Sequence, residues 1–478
     1  MKQAVSATWG GIALSLCAST VTAMHLNPNG LGQVLVYPYY TVNGGYTTFV
    51  TITNSTTIGK AIKVRLLEGY NGRDVQDFNL YLSPHDYWVG AVIDAGNGGA
   101  AIFTNDASCT VPTLPTTVQT ALPFTTTNFD GTGAQAKDGG PIYTTRTREG
   151  HIEIIEMGTV TSSATLDAIS HAANGVPENC PSIVAAWASG GQWTLDPTKD
   201  IGPPSGGLFG NGVILNVANG TVFSYPAEAI AQFYAKDGRG EHSRPDSLTP
   251  NISSATSATA DICTDDGSLS LTYSHPVDAV SAVFMADKIQ NEYWTSKSIA
   301  AASEWVITYP TKRFYVDPYF AVDGARAPFD IQFTSANGGT ALSPVDLDVF
   351  NREQMGPISF GGFGQPPLNL GLAYETQIVT FGQQQSYSKI VASQLVTGIY
   401  SVAPFENGWA ELNLAGQYGQ NHRLVAANGN VLIGQPVTGF WINQLVNGSV
   451  NGVLANYTAL YRHRLHVSCA RADSAPCL

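Results

Sequence analysis

The chain predicts a mainly β fold: two antiparallel β-sandwich (Ig-like) domains, the first carrying a small helical and loop insertion. Three observations support this. Short runs rich in Val, Ile, Thr, Tyr and Phe recur between Gly, Asn and Pro turn signals. Several of them alternate apolar and polar residues with the period of two that a half-buried strand requires. The 478 residues are too many for a single core, so more than one domain is expected.

The first 23 residues read as a secretory signal peptide. Lys2 supplies the positive start, Ala4 to Leu16 is largely apolar and uncharged, and Val21-Thr22-Ala23 offers small residues at the two positions read before cleavage. Met24 is the expected mature start. Cys17 lies near this run, but Leu16 precedes it where lipidation needs a small residue. No other run approaches the roughly 20 apolar residues of a membrane-spanning helix. The expected location is extracellular, periplasmic or on the cell surface.

The full chain carries 23 basic and 36 acidic residues, a net −13. Without Lys2 the balance is 22 − 36 = −14. An acidic chain without basic clusters is a poor partner for nucleic acid or anionic lipid. Only 12% of residues are charged, which leaves a polar-aromatic surface for glycans or for other copies. Five cysteines follow the signal segment, and none forms C-x-x-C. In an exported protein they predict disulfides, Cys109–Cys180 and Cys469–Cys477, with Cys263 left over. Cys263–Cys469 is the competing pairing.

The elements follow in order. Val34 to Tyr37 and Thr47 to Thr53 are β-prone, with Asn43-Gly44-Gly45 turning between them. In Ala61 to Leu67, Ile62, Val64 and Leu66 alternate with Lys63 and Arg65, which predicts one buried and one wet face. Gly69-Tyr70-Asn71-Gly72 turns, and Phe78, Leu80 and Leu82 share the next face. Ala95 to Gly140 lacks periodicity and reads as a long loop. His151 to Met157 resumes a strand. Helices are expected around Leu166 to Ala173, from Pro181 to Trp187 and from Pro226 to Phe233. Asp237 to Ala260 has linker composition. The expected layout is a first domain over 24–236 with its insertion near 95–190, a linker over 237–260, a second domain over 261–468 and a tail over 469–478. In the second half, strands are expected at Ser268 to Tyr273, Glu304 to Tyr309, Phe314 to Val316, Val345 to Val349, Gln377 to Phe381, Gly408 to Leu414, Pro436 to Leu445 and Gly452 to Leu460. Val280 to Asp287 reads as helix.

Several segments resemble a group of uncharacterised exported bacterial proteins described only as cell-surface proteins. They are Gly32 to Thr41 (GQVLVYPYYT), Glu68 to Asp74 (EGYNGRD), Arg148 to Glu153 (REGHIE) and Glu304 to Lys312 (EWVITYPTK), with GVLANY from Gly452 and Tyr461-Arg462-His463-Arg464 near the end. The resemblance implies a secreted β-rich fold and brings no activity, cofactor or site residue.

The candidate chemistry is sparse. Glu149, Glu153 and Glu156 are close enough to suggest a glycosidase-like carboxylate pair, although surface pairing with Arg146 or Arg148 explains them more simply. Asp261, Asp265 and Asp266, followed by Gly267, offer oxygen ligands for a structural calcium ion; no other cofactor is implied. His463 and His466, three apart on a strand, point to opposite faces and make a poor metal pair. Tyr39, Tyr40, Tyr70 and Trp88 are the aromatics expected to face a ligand, with core packing as the simpler alternative. No nucleophile elbow, P-loop or zinc-protease motif is present. The function that fits best is a non-enzymatic secreted or cell-surface structural or adhesion protein acting through β-sandwich surfaces. A polysaccharide-binding module and a secreted hydrolase are the alternatives. An outer-membrane barrel is disfavoured by the helical segments and the Cys477-Leu478 end.

Overall fold

The computed structural model describes residues 23–236, 238–264, 267–353, 368–382, 388–402, 405–416, 421–471 and 477. These residues build a mainly β architecture of sheets, none closed into a barrel, whose strands pair antiparallel except for Thr376–Gly382 with Val396–Ser401. In the first half, one sheet uses β1 (Val34–Thr41), β3 (Lys60–Glu68), β4 (Asp74–Leu82), β7 (Cys109–Val111), β8 (Glu149–Val160) and β11 (Glu228–Ala231). Its order is β11-β1-β8-β3-β4-β7. The second sheet orders β10 (Thr221–Pro226), β9 (Asn211–Asn216), β2 (Thr47–Asn54), β5 (Tyr87–Asp94) and β6 (Ala100–Phe103) side by side. The β-branched run of β2 lies between β9 and β5, where both its edges are paired.

The second half repeats the plan. One sheet orders β15 (Leu368–Leu372), β14 (Ser343–Asn351), β18 (Asn407–Asn413), β12 (Lys288–Trp294) and β21 (Arg464–His466). The other orders β17 (Val396–Ser401), β16 (Thr376–Gly382), β13 (Ala301–Thr308), β19 (Thr438–Val450) and β20 (Val453–Arg462). Trp305 on β13 is fully buried and fills the space between them.

The two halves share their core. On β1, Val34 and Val36 pack in one cluster with Trp305, Ile307 and Trp441. Leu35 and Tyr37, pointing the other way, pack in a second cluster with Val306, Ile378 and Phe440. Buried on both faces, β1 (VLVYPYYT) carries no charged residue.

Three local expectations are corrected. Pro226 to Phe233 does not form a helix: Glu228, Ala229 and Ile230 pair with Val36, Leu35 and Val34, completing the edge beside β1. Phe314 to Val316 is not a strand but part of a single helical turn, α4 (Arg313–Val316). Val280 onward is helical, but α3 (Pro276–Phe284) ends at Phe284. The insertion does hold helices, α1 (Ser163–Ile169) and α2 (Cys180–Ala186), capped by Ser162 and Asn179.

Cys109–Cys180 ties α2 to β7 across 71 residues of sequence, and Cys469–Cys477 closes a loop with a separation of 8. In the chain-entropy view the longer closure stabilises by about 4 kcal/mol. Cys263 is also disulfide-bonded, so it is not the free thiol that the odd count predicts.

The stretch with linker composition lies against the first sheet as a strap. Lys63 Nζ donates to the carbonyls of Arg244 (2.6 Å) and Pro245 (3.1 Å), and Arg65 Nη1 to those of Leu248 (2.5 Å) and Pro250 (3.0 Å). The expected wet face of β3 is therefore covered, and Lys63 and Arg65 are buried. Burial pushes the Lys63 ammonium down to about 8. His242 anchors the strap between Tyr81, Trp187 and Trp193. Its Nδ1 donates to Pro197 O (2.6 Å), and its Nε2 lies 2.9 Å from Tyr81 Oη, which accepts from Trp187 Nε1 (2.7 Å). This bonding suits a neutral imidazole, and burial holds its pKa down at about 4.

The unfolded chain protonates His242 below about 6.5 while the folded one stays neutral to about 4. Stability from the neutral ring is thus complete above pH 6.5 and falls as acid is added, by about 3 kcal/mol in total. Urea unfolding of the wild-type protein and His242→Gln at pH 7 and pH 4.5 checks this. The wild type is expected to lose more of its advantage over the variant at the lower pH; a constant difference would refute the assignment.

Candidate functional site

Two features stand out: a buried seam of charge between the halves, and an uncharged exposed hairpin. The seam forms around the turn after β3. Glu68 accepts the backbone N–H groups of Tyr70 (2.7 Å), Asn71 (3.1 Å) and Arg73 (2.9 Å), and the Arg146 guanidinium (2.8 Å to Nε). Arg146 also bonds Asp138. Arg73 reaches Asp317 in the second half (2.8 Å), and Arg313 on α4 returns to Glu153 on β8 (2.6 Å). Arg313 also donates to Gly72 O (3.3 Å). Gly72 sits at φ +68°, and a Cβ there would lie 2.7 Å from the Glu375 carboxyl carbon, so the turn requires glycine. Burial pushes the Glu375 carboxyl well above its usual range, opposed by Arg313 and Lys312. Burial also lowers Lys312 to about 7; its ammonium donates to the carbonyls of Leu372 and Tyr374 (both 3.2 Å).

The three glutamates that suggested a carboxylate pair belong to this interior. They are buried, not surface residues paired with Arg146 or Arg148. Glu149 accepts from Tyr39 Oη and Gln394 N (both 2.8 Å). Glu156 accepts from Lys60 Nζ (2.7 Å), Ser205 N (2.9 Å) and Gly206 N (2.7 Å). Glu153 holds Arg313, with Arg65 at 3.7 Å. Each carboxylate faces protein donors rather than a substrate space, so these residues are read as structural. Beside them, His151 is fully buried, and neither ring nitrogen has a hydrogen-bond partner among the described residues. Burial, with Arg313 and Arg65 nearby, holds its pKa well below the ordinary histidine range.

The expected ligand-facing aromatics are corrected too. Tyr39, Tyr40 and Trp88 are fully buried. Tyr40 Oη donates to Thr147 O (3.0 Å), and Trp88 packs on Phe78. Tyr70 is half-buried, with its hydroxyl on Gly338 O (2.8 Å) and its ring against Tyr374 (4.7 Å). Of the aspartates expected around calcium, Asp261 is buried on a strand, while Asp265 and Asp266 lie outside the described residues. Among the described residues no three His, Cys, Asp or Glu side chains gather as metal ligands. His463 is buried, its Nε2 3.0 Å from Val306 O, and His466 faces Asp287 (2.7 Å).

The exposed feature is the hairpin of β19 and β20. β19 pairs with β13 only as far as Leu445, opposite Ala301. Beyond that point β19 and the start of β20 overhang the sheet. Thr438 to Tyr461 contains no charged residue. Val453 (67%), Leu454 (50%), Tyr457 (61%) and Tyr461 (55%) are exposed along β20, which is a sheet edge. The tip leans on the first half: Asn456 Nδ2 donates to Asn219 O (2.8 Å) and Thr458 Oγ1 to Val222 O (2.6 Å). Val217 and Val222 there are exposed as well, so the apolar surface continues across both halves. Sequence reasoning located the strands but missed this surface. The available signal was the charge-free run from Leu424 to Tyr461, which ends at an arginine.

Truncating one partner of a buried ion pair leaves the other charged and unpaired, at a cost of about 3–5 kcal/mol. Arg313→Met and Glu153→Leu are each expected to destabilise by that amount in equilibrium urea unfolding, and the double variant by less than their sum. Additive losses would show that the two side chains do not support one another.

The chain matches no protein-family model, no curated protein and no solved structure.

Proposed function

We propose that this is an exported structural protein that acts by contact, assembling with copies of itself through the β19–β20 hairpin and the edge of β20. The carrying observation is the charge-free hairpin with exposed Val453, Leu454 and Tyr457 on a sheet edge. Natural edge strands are normally blunted by lysine, proline or a bulge, because their unpaired N–H and C=O groups accept another strand. β20 has no lysine or proline, and its register shift against β19 falls between Val446 and Ser449, toward the tip. A second β20 can therefore add along the edge, with main-chain bonds supplying affinity and Tyr457 and Leu454 supplying contact area. The disulfides suit an oxidising compartment, which agrees with the signal-like first 23 residues. The bonding of Glu149, Glu153 and Glu156 within the fold favours a contact role over a carboxylate-pair hydrolase.

The net charge of 22 − 36 = −14 without the first 23 residues makes copies repel at low salt, so association is expected to strengthen as salt screens it. Light scattering on the secreted protein across a salt series reads this directly. The expected result is a rise in mass with salt that is abolished by Tyr457→Lys or Leu454→Lys. A monomer at every salt concentration, or association unaffected by either lysine, would overturn the proposal.

A further inference from the structure

A second surface, on the opposite sheet of the second half, has a different chemistry. In β14, β18 and β12 alternate residues are buried, among them Val345, Leu347, Ala410, Leu412 and Ile289. The others line the outer face. Antiparallel register sets them in rows, because paired residues share a face. One row holds Phe350, Trp409 and Glu292, and the Trp294–Asn407 pair lies two residues further along. The next row holds Asp348, Glu411, Gln290 and Arg464.

The aromatic row is fixed in place. Phe350 and Trp409 stack with centroids 4.4 Å apart and planes 19° apart. Trp409 is nevertheless 39% exposed; Trp294, at the end of β12, is 38% exposed but turns its ring to Trp441 on β19, 5.8 Å away. Large rings on a soluble surface are costly to leave in water, and here they sit beside ordered polar groups. Glu411 accepts from Gln290 Nε2 (2.6 Å) and pairs with Lys288 (2.7 Å). An aromatic ring next to a carboxylate, an amide and an ammonium is the set that recognises a sugar. The ring covers the C–H face of a pyranose, and the polar row exchanges hydrogen bonds with its hydroxyls.

We propose that this outer face binds a neutral polysaccharide, with Trp409 as the stacking platform and Glu411 with Gln290 as hydroxyl partners. The charge pattern selects the ligand. Among the described residues, Asp346, Asp348, Glu292 and Glu411 share this face with Lys288 and Arg464, four carboxylates against two cations. A uronate or sulfated chain is repelled, whereas an uncharged one is not. The sheet is an open face rather than a deep pocket, which suits an extended chain crossing several strands. The face is formed by β14, β18 and β12 and does not include the β20 edge, so glycan binding does not depend on self-association.

Native affinity electrophoresis tests the proposal, with hydroxyethylcellulose, xylan and galactomannan as neutral probes and alginate as the acidic one. The wild-type protein is expected to be retarded by at least one neutral polysaccharide and not by alginate. Trp409→Ala is expected to weaken that binding about tenfold or more, and Trp409→Phe to restore part of it. Melting curves of the variants establish that they remain folded, and Tyr457→Lys is expected to be retarded as the wild type is. No retardation by any neutral probe, retardation by alginate alone, or equal retardation of a folded Trp409→Ala protein would each overturn the proposal.

Discussion

Arg313 binding Glu153 across the seam is the interaction on which the rest of the arrangement turns. It joins α4 of the second half to the central β8 of the first, at 2.6 Å and out of contact with solvent. Neither charge would be tolerated alone in that position. The same holds for Arg73 with Asp317, which also crosses the seam, and for Glu68 with Arg146 within the first half. Each half supplies charges that the other neutralises, so each needs its partner to be complete. Around these pairs, β1 is buried on both faces by residues from both halves. Buried ion pairs of this kind add little net stability over apolar packing. Their contribution is to fix one docking geometry, because any other alignment leaves a buried charge unpaired.

This organisation explains which parts of the fold the sequence could reveal. Strands whose pattern depends only on local chemistry were legible: β2, β4, β14 and β18 lie where their apolar and β-branched runs predict. Failures came where tertiary cover changed the meaning of a local pattern. Lys63 and Arg65 alternate with apolar residues as on a wet-faced strand, yet the strap at 241–254 lies over them and its carbonyls bind them. The strap itself has loop composition, and nothing local shows that His242 is held among Tyr81, Trp187 and Trp193. Tyr39, Tyr40 and Trp88 could as well have been surface aromatics; only the packing of sheet on sheet decides. The short apolar run at 314–316 looks like a strand because one helical turn is too brief to show a period.

Four of the segments that carry the sequence resemblance gather at the seam, while GVLANY and Tyr461 to Arg464 lie on β20 and β21. Glu68 to Asp74 forms the turn, Arg148 to Glu153 enters β8, and Glu304 to Lys312 runs through β13 toward α4. Tyr37 to Thr41 lies alongside, with Pro38 O accepting from Thr308 Oγ1 (2.6 Å). These four segments take part in joining the halves. Charge is concentrated where the molecule is closed, and the exposed hairpin of β19 and β20 has none before Arg462 at its end. The usual distribution is thereby locally inverted. An uncharged overhanging edge and a polar-aromatic outer face leave two surfaces on the second half able to make contacts, held in place by the rigid seam beneath them.

The central claim is that the halves are locked into one cooperative unit by buried charge and a common core. Native-state hydrogen exchange read by mass spectrometry tests it most directly. The amides of Glu149–Val160 in the first half and of Ala301–Thr308 and Thr376–Gly382 in the second are expected to share one opening free energy and one dependence on added urea. If the strands of one half stay protected after those of the other have exchanged, the seam does not couple them and the account fails.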